Sequence, residues 1–307
     1  MAKIVNAFVY YVIVVPISIL PLFLGYIFST LFFLFTFIFP YRRKVIERNM
    51  KASFPEISEK ELLQLRQKFY LHFADILLEG IKNLTISKKE LLHRFKVANP
   101  EVMEKLHQEG KNVLLVAGHY NNWEFMITAQ NLLFPHKAIG IGQPLTAKFW
   151  DKKINARRSR FGMHVVSSKN FKTELAKYKE PVAILMLSDQ SPTDTRRSYW
   201  MEFLNQPTAV LFGVEQLAHT MNAAVVYFET EKVKRGKYLV HLKLITDNPS
   251  EMQWGEITIA HTQALEATIQ KHPAYWLWSH KRWKREIPTD LEQLKKEQNN
   301  AFNQRFK

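Results

Sequence analysis

Residues 4–41 carry no charge and are dense in Phe, Leu, Ile and Val. Helical throughout, that run would measure roughly 57 Å at 1.5 Å per residue, about twice the hydrocarbon core of a bilayer. One straight span therefore fits poorly. Pro16, Pro21 and Gly25 interrupt it, leaving 22–39 long enough to cross and 4–15 too short. The segment is expected to form either a kinked, tilted single span or a re-entrant hairpin. A cleaved signal peptide would need a shorter apolar region and a small-x-small cleavage site, and neither is present. Arg42, Arg43 and Lys44 follow the run, against Lys3 and the amino terminus before it. The positive-inside bias thus places the rest of the chain in the cytoplasm.

Beyond that segment the composition is that of a folded protein: 307 residues, 47% of them hydrophobic, supply a sizeable core for one large domain or two small ones. A net charge of +15 selects partners of negative charge, whether nucleic acid, anionic lipid or an acidic carrier protein. With no cysteine, disulfides, thiolate metal sites and a cysteine nucleophile are excluded.

Ser58 lies three residues before Glu61, a capping box, and opens an amphipathic helix over 59–79 with the stripe Leu62, Leu65, Phe69, Phe73, Ile76 and Leu77. From about residue 97 short apolar runs alternate with helical segments. Strands are expected at 112–117, 138–141, 164–167, 182–187, 224–229 and 237–245, the last two antiparallel across a turn at 233–236. Helices fit at 123–133, 146–161, 171–178 and 210–221. The alternation predicts an α/β fold with a mixed, largely parallel sheet flanked by helices. The chain then divides into a hydrophobic membrane anchor (1–41), an α/β domain (42–290) and a polar tail (291–307) that starts as an exposed helix and frays.

Chemistry concentrates in VLLVAGHYNNWEF at 113–125, where an apolar run breaks at Gly118, His119 follows, and Trp123 and Glu124 open a helix. On one continuous helix His119 and Glu124 would point about 140° apart. A strand-to-helix loop instead lets the imidazole fold back toward the carboxylate, and Gly118 permits the sharp exit. His261 and Glu266 share the spacing inside an uninterrupted helical pattern and should face different ways. Among 11 histidines, composition alone gives about one such pair by accident, so context rather than spacing singles out His119. That context suits general base catalysis, with Glu124 holding the tautomer and the helix amino terminus steadying phosphate or an oxyanion. The alternative is a loop histidine that caps the helix.

Lys148, Lys152, Lys153, Arg157, Arg158 and Arg160 stand against the single Asp151, and Lys153, Arg157 and Arg160 share a helix face. Such a cluster suits lipid phosphates or an acidic carrier surface, or is a solvated face. Residues 275–285 mix Trp276, Trp278 and Trp283 with His280 and four cations, a composition for a membrane interface or headgroup, with at least one indole expected in the core. Asp189 reads as an acceptor that positions an arginine or a substrate hydroxyl. No His and carboxylate set has metal-ligand spacing, and no nucleic-acid-binding motif is present.

The uncharged segment, then YRRKVIERNMKASFPE, GHYNNWE, RRSRFG, SDQ, FGVEQLAHTMNAAVVYF and YWLWSHKRWK, together resemble the bacterial lipid A late acyltransferase family, part of the wider glycerolipid acyltransferase group with its H-x4-D/E motif. The resemblance covers nearly the whole chain. It implies transfer of a fatty acyl chain from acyl carrier protein to a hydroxyl of a lipid A precursor, with no cofactor, at the cytoplasmic face of the bacterial inner membrane. His119 becomes the base and Glu124 its partner. The candidate substrate-binding residues are Asn122, Trp123, Arg157, Arg158, Arg160, Asp189 and Gln190. Two departures stand out. Asn121 occupies a common glycine position, which asparagine's tolerance of left-handed backbone allows. The segment GQPLTAKFW keeps only Pro144 of the pattern R-P-x-x-N-P, which leaves an aminolipid, another glycolipid or an aryl polyene headgroup as an alternative acceptor. From another class, a non-catalytic tether for anionic lipid is the competing reading.

Overall fold

The computed structural model describes residues 2–142, 144–168 and 170–307, so Gln143 of the divergent GQPLTAKFW segment lies outside the described residues. The chain begins with α1 (Ala2–Phe8), a π-helical turn (Val9–Val14), α2 (Val15–Ile19), α3 (Leu22–Ile38), α4 (Arg43–Ser53), α5 (Glu59–Lys82) and α6 (Lys88–Arg94). Next come β1 (Phe95–Val97), α7 (Glu101–Gln108), β2 (Val113–Ala117), α8 (Trp123–Leu133), β3 (Lys137–Gly142), α9 (Lys148–Arg158), β4 (His164–Ser167), α10 (Phe171–Leu175) and β5 (Val182–Leu187). The last part holds β6 (Ser198–Phe203), β7 (Gln206–Leu211), α11 (Gly213–Met221), β8 (Ala224–Lys234), β9 (Lys237–Thr246), α12 (Glu256–Lys271) and α13 (Leu291–Phe306).

Seven strands form one sheet in the order β1–β9–β8–β2–β5–β3–β4. Every neighbouring pair is parallel except the β8–β9 hairpin, so the fold is mixed α/β with a largely parallel sheet between helices, as the alternation of runs predicts. In β2, Val113, Leu115 and Ala117 enter one core while Leu114 and Val116 enter the other. A strand buried on both faces reads as a continuous apolar run for this reason.

Three elements depart from expectation. Residues 198–211 form a separate β6–β7 hairpin, so Val210 lies in a strand and α11 starts only at Gly213. Its turn holds Leu204 and Asn205 at φ of 52° and 60°, both left-handed as a two-residue type I′ turn requires. Leucine gives no turn signal there; burial of its side chain and a 2.6 Å bond from its amide to Glu266 Oε1 hold it in place. The expected frayed tail is instead α13, docked through the buried Leu294 and Phe302, with Phe302 and Phe306 against the His219 ring. In α5 the stripe is buried at Leu62, Leu65, Phe69 and Ile76, yet Leu77 is exposed while Asp75 and Glu79 are buried.

At the amino terminus, the chain breaks before Pro21, whereas Gly25 sits within α3 and allows close approach to Leu78: a Cβ there would be 3.0 Å from Leu78 Cδ2. Among the described residues no single helix is long and apolar enough to cross a membrane, and α3 and α4 together are bent by 90°. The 22–39 span expected from sequence is thus realised as a helix of 17 residues, about 26 Å against a hydrocarbon core of about 30 Å.

Candidate active site

Ala117 at the end of β2 pairs with Leu187 at the end of the parallel β5. Two residues beyond each, His119 and Asp189 meet. His119 Nδ1 lies 2.6 Å from Asp189 Oδ1, while Asp189 Oδ2 accepts from the His119 amide and from Trp276 Nε1, each at 2.8 Å. Burial would raise the Asp189 carboxyl, but the imidazole and these donors outweigh it and hold the pKa at about 2. With Nδ1 engaged, Nε2 is the ring nitrogen left to face a substrate. Gln190 Nε2 stands 3.4 Å from it, and the Trp123 ring lies edge-on to the imidazole with centroids 5.1 Å apart.

Gly118 serves a different purpose from the one the sequence suggests. A Cβ there would lie 2.7 Å from Leu265 Cδ2 and 3.0 Å from Asp189 Oδ2; the missing side chain makes room for α12 and the carboxylate. The left-handed residue in the loop is Asn121, at φ 50°, whose Nδ2 donates to the Thr230 carbonyl.

Glu124 is not the hydrogen-bond partner of His119. Asn122 caps α8 through Oδ1 and the Phe125 amide, 2.8 Å apart, and from the first turn Glu124 reaches α9. Arg158 donates to both of its oxygens, Nη2 at 2.5 Å and Nε at 3.2 Å, and Arg157 Nη2 adds a third bond at 2.5 Å. Burial alone would raise the Glu124 carboxyl, but the two guanidiniums hold it below the usual range, with His119 adding a smaller pull. Arg157 also donates to the Gly80 carbonyl at 2.8 Å.

Two further expected binding residues make hydrogen bonds within the fold. Asn122 Nδ2 donates to the buried Glu79 at 2.5 Å, a carboxylate that also accepts from Tyr26 and Tyr238. Arg160 donates to the carbonyls of Asn83 and Ile86 at 2.7 and 3.2 Å. Lys153 bonds the Tyr11 hydroxyl, so Lys153, Arg157 and Arg160 serve three different places instead of one shared face. Histidine 261 and Glu266 do face apart: His261 is buried, and Glu266 caps the Leu204 turn.

The closing aromatic motif carries residues that sequence reasoning assigned elsewhere. Residues 275–277 run as a strap beside the 118–122 loop, the Asn121 amide donating to the Tyr275 carbonyl at 3.0 Å and the Leu277 amide to the His119 carbonyl at 3.1 Å. Trp276 and Trp278 are buried, so the two indoles brace the site rather than meet lipid. Arg282 is buried behind Asp189 beside Thr208, 2.7 Å from its hydroxyl, and burial lowers its pKa to about 10. The available signal for Asp189 was its place two residues past the end of an apolar strand, where parallel sheets put their ligands. Among the described residues no group of three His, Asp or Glu side chains is placed to hold a metal ion. An imidazole oriented by a carboxylate can take a proton from a hydroxyl, and the two guanidiniums on Glu124, a carboxylate that also feels His119, can steady negative charge.

Residues 1–285 match the family described as bacterial lipid A biosynthesis acyltransferase. A lipid A biosynthesis acyltransferase of Haemophilus influenzae is 23% identical over 250 residues, covering 77% of this chain and 74% of that protein. A lipid A biosynthesis lauroyltransferase of Escherichia coli is 21% identical over 244 residues, 79% of each chain. Since the match runs from the amino-terminal helices through the Trp276 strap, the chain belongs to the family of bacterial lipid A biosynthesis acyltransferases.

Proposed function

We propose that this acyltransferase moves a fatty acyl chain from the thioester of acyl carrier protein to a hydroxyl of a lipid A precursor, with His119 as general base and Asp189 as the carboxylate that orients it. The observation that carries the reading is the 2.6 Å bond between His119 Nδ1 and Asp189 Oδ1, which aims Nε2 outward and stabilises the imidazolium. Nε2 takes the proton of the acceptor hydroxyl as its oxygen attacks the thioester carbonyl. The tetrahedral oxyanion then collapses, the C–S bond breaks, and the departing thiolate recovers the proton from the imidazolium. Transfer is direct, with no acyl-enzyme.

Arg157 and Arg158 against the single Glu124 leave one positive charge beside the base, suited to the oxyanion or to a lipid phosphate. Glu124 is then a positioning residue for the two arginines. The lipid A role of the family supports the acceptor, and the charge of +15 suits an acidic carrier. Exposed apolar side chains along 4–41, with Arg42, Arg43 and Lys44 after them, support a seat on the inner membrane with the domain in the cytoplasm.

The test is acyl transfer by purified variants. His119→Ala and Asp189→Asn are expected to lower kcat by about 10²- to 10⁴-fold, the usual cost of losing a general base or its orienter. If Asp189→Asn stays within about threefold of wild type while Glu124→Gln falls a hundredfold or more, Glu124 is the partner of the base instead. Equal kcat/KM for acyl-coenzyme A and acyl carrier protein would refute the donor.

A further inference from the structure

We infer that residues 4–41 lie along one leaflet of the membrane instead of crossing it, with the β8–β9 hairpin tip resting on anionic headgroups of the same leaflet. This rests on the membrane seat proposed above and specifies its geometry.

Cationic side chains of the body meet the apolar run at three successive points. Lys153 Nζ donates to the Tyr11 hydroxyl at 2.8 Å and stands 4.5 Å from the Tyr10 ring centroid. Lys82 Nζ donates to the carbonyls of Ser18 and Leu20 at 3.2 and 3.0 Å, and Thr85 Oγ1 also donates to Ser18. The carbonyls freed by the break before Pro21 are thus satisfied by the end of α5. Arg235 then bonds Ser29 Oγ at 2.9 Å and the Asp75 carboxylate, with its guanidinium 4.3 Å from the Tyr26 ring centroid. Charged groups at the bilayer centre are strongly disfavoured. Contacts at 10–11, 18–20 and 26–29 therefore leave no stretch of the roughly 20 residues that a crossing needs.

The outward faces of the same helices are apolar. Among the described residues, the large apolar side chains that are exposed all lie within 4–41 except Leu63, Leu77, Leu145, Val233, Leu244 and Ile287. The third helix buries Leu22, Gly25, Ser29 and Thr36 toward the body while Phe23, Ile27, Phe28, Leu31 and Phe35 point away. A one-sided surface of this size fits a lipid leaflet.

Charge complementarity names the lipid. Beside Tyr26, where a Cβ on Gly236 would meet both the Tyr26 hydroxyl and Arg94, the hairpin tip gathers His93, Arg94, Lys96, Lys234 and Lys237. Lys237 Nζ lies 2.7 Å from His93 Nε2, and Lys237 with its neighbours pushes the His93 pKa down. Glu90 pairs with Arg94. A headgroup phosphate between the remaining cations relieves their repulsion, and Val233, 59% exposed at the tip, reaches toward the same surface.

Because the chain has no cysteine, Lys3→Cys and Ile19→Cys each place one thiol, read by a membrane-impermeant maleimide in right-side-out and inverted membrane vesicles. Labelling of Lys3→Cys only from the side that holds the domain, with neither thiol reached from the opposite side, is the expected result. Labelling of either from the opposite side overturns the in-plane placement. In flotation assays, the triple variant Lys96→Gln, Lys234→Gln, Lys237→Gln, folded as judged by an unchanged Tm, should bind vesicles of phosphatidylcholine with phosphatidylglycerol about fivefold more weakly per lysine lost, and pure phosphatidylcholine vesicles as wild type does. Equal binding of variant and wild type to the anionic vesicles overturns the headgroup site. A wild-type chain that floats with neither vesicle overturns the membrane seat itself and assigns the apolar face to another copy of the chain.

Discussion

Asp189 is a carboxylate kept ionised in a buried place by three donors, and its titration is a test of that geometry. Its carboxyl moves from 3.8 in the unfolded chain to about 2 in the folded one. The ionised form therefore contributes fully above about pH 4 and is lost as pH falls toward 2, a contribution of roughly 2 kcal/mol. Urea unfolding followed from pH 5 downward should show wild type losing that much more stability than Asp189→Asn. At Gly118 the added Cβ of Gly118→Ala would press on Leu265 and on Asp189 Oδ2. A loss of about 1–3 kcal/mol is expected from overpacking, together with a lower kcat, since the pressed oxygen belongs to the carboxylate that orients the proposed base. The histidine itself was legible: an apolar run, a glycine and an imidazole at a strand end form a local pattern. Its partner was not. Glu124 is near in sequence, whereas Asp189 becomes a neighbour only through the pairing of β2 with β5, and strand order is decided by packing across the whole sheet.

Elements carry the site at one remove. Asn122 caps α8 and also donates to Glu79, which burial pushes up and which hydrogen bonds from Tyr238, Tyr26 and Asn122 oppose. Asn122→Ala should cost about 1–2 kcal/mol for the cap, more with the buried acceptor left short of a donor, measured as a lower urea midpoint. For the strap, Trp276→Phe keeps an aromatic ring in the packing and removes the donor to Asp189. A fall in kcat of roughly tenfold with KM unchanged is expected, the size of effect a charge-assisted hydrogen bond supplies. The parallel strands were legible because apolar runs such as 113–117 and 182–187 must be buried on both faces. The β6–β7 hairpin was not, because Leu204 takes a left-handed place that its own chemistry disfavours and that Glu266 and burial impose.

At the scale of the whole molecule, burial holds His136, His261 and His280 neutral, each with its pKa lowered to about 4. A folded value below the unfolded 6.5 means that this stability is present above pH 6.5 and is lost as pH falls toward 4; for the fully buried His261 it amounts to about 3 kcal/mol. Urea midpoints measured at pH 7 and pH 4.5 should diverge, and His261→Gln should narrow the gap. The apolar character of 4–41 was legible from the absence of charge, but its course was not, since Lys82, Lys153 and Arg235 reach it from distant parts of the chain. Docking of α13 was hidden in the same way by its polar composition, with Leu294 and Phe302 carrying the contact. The strap has a consequence in time as well as in space. A ribosome releases the chain from its amino-terminal side, so the apolar helices emerge well before Trp276, whose indole completes the Asp189 hydrogen bonds. A nascent chain on the proposed leaflet is thus moored before its proposed base is braced, and competence arrives where the proposed lipid acceptor already is.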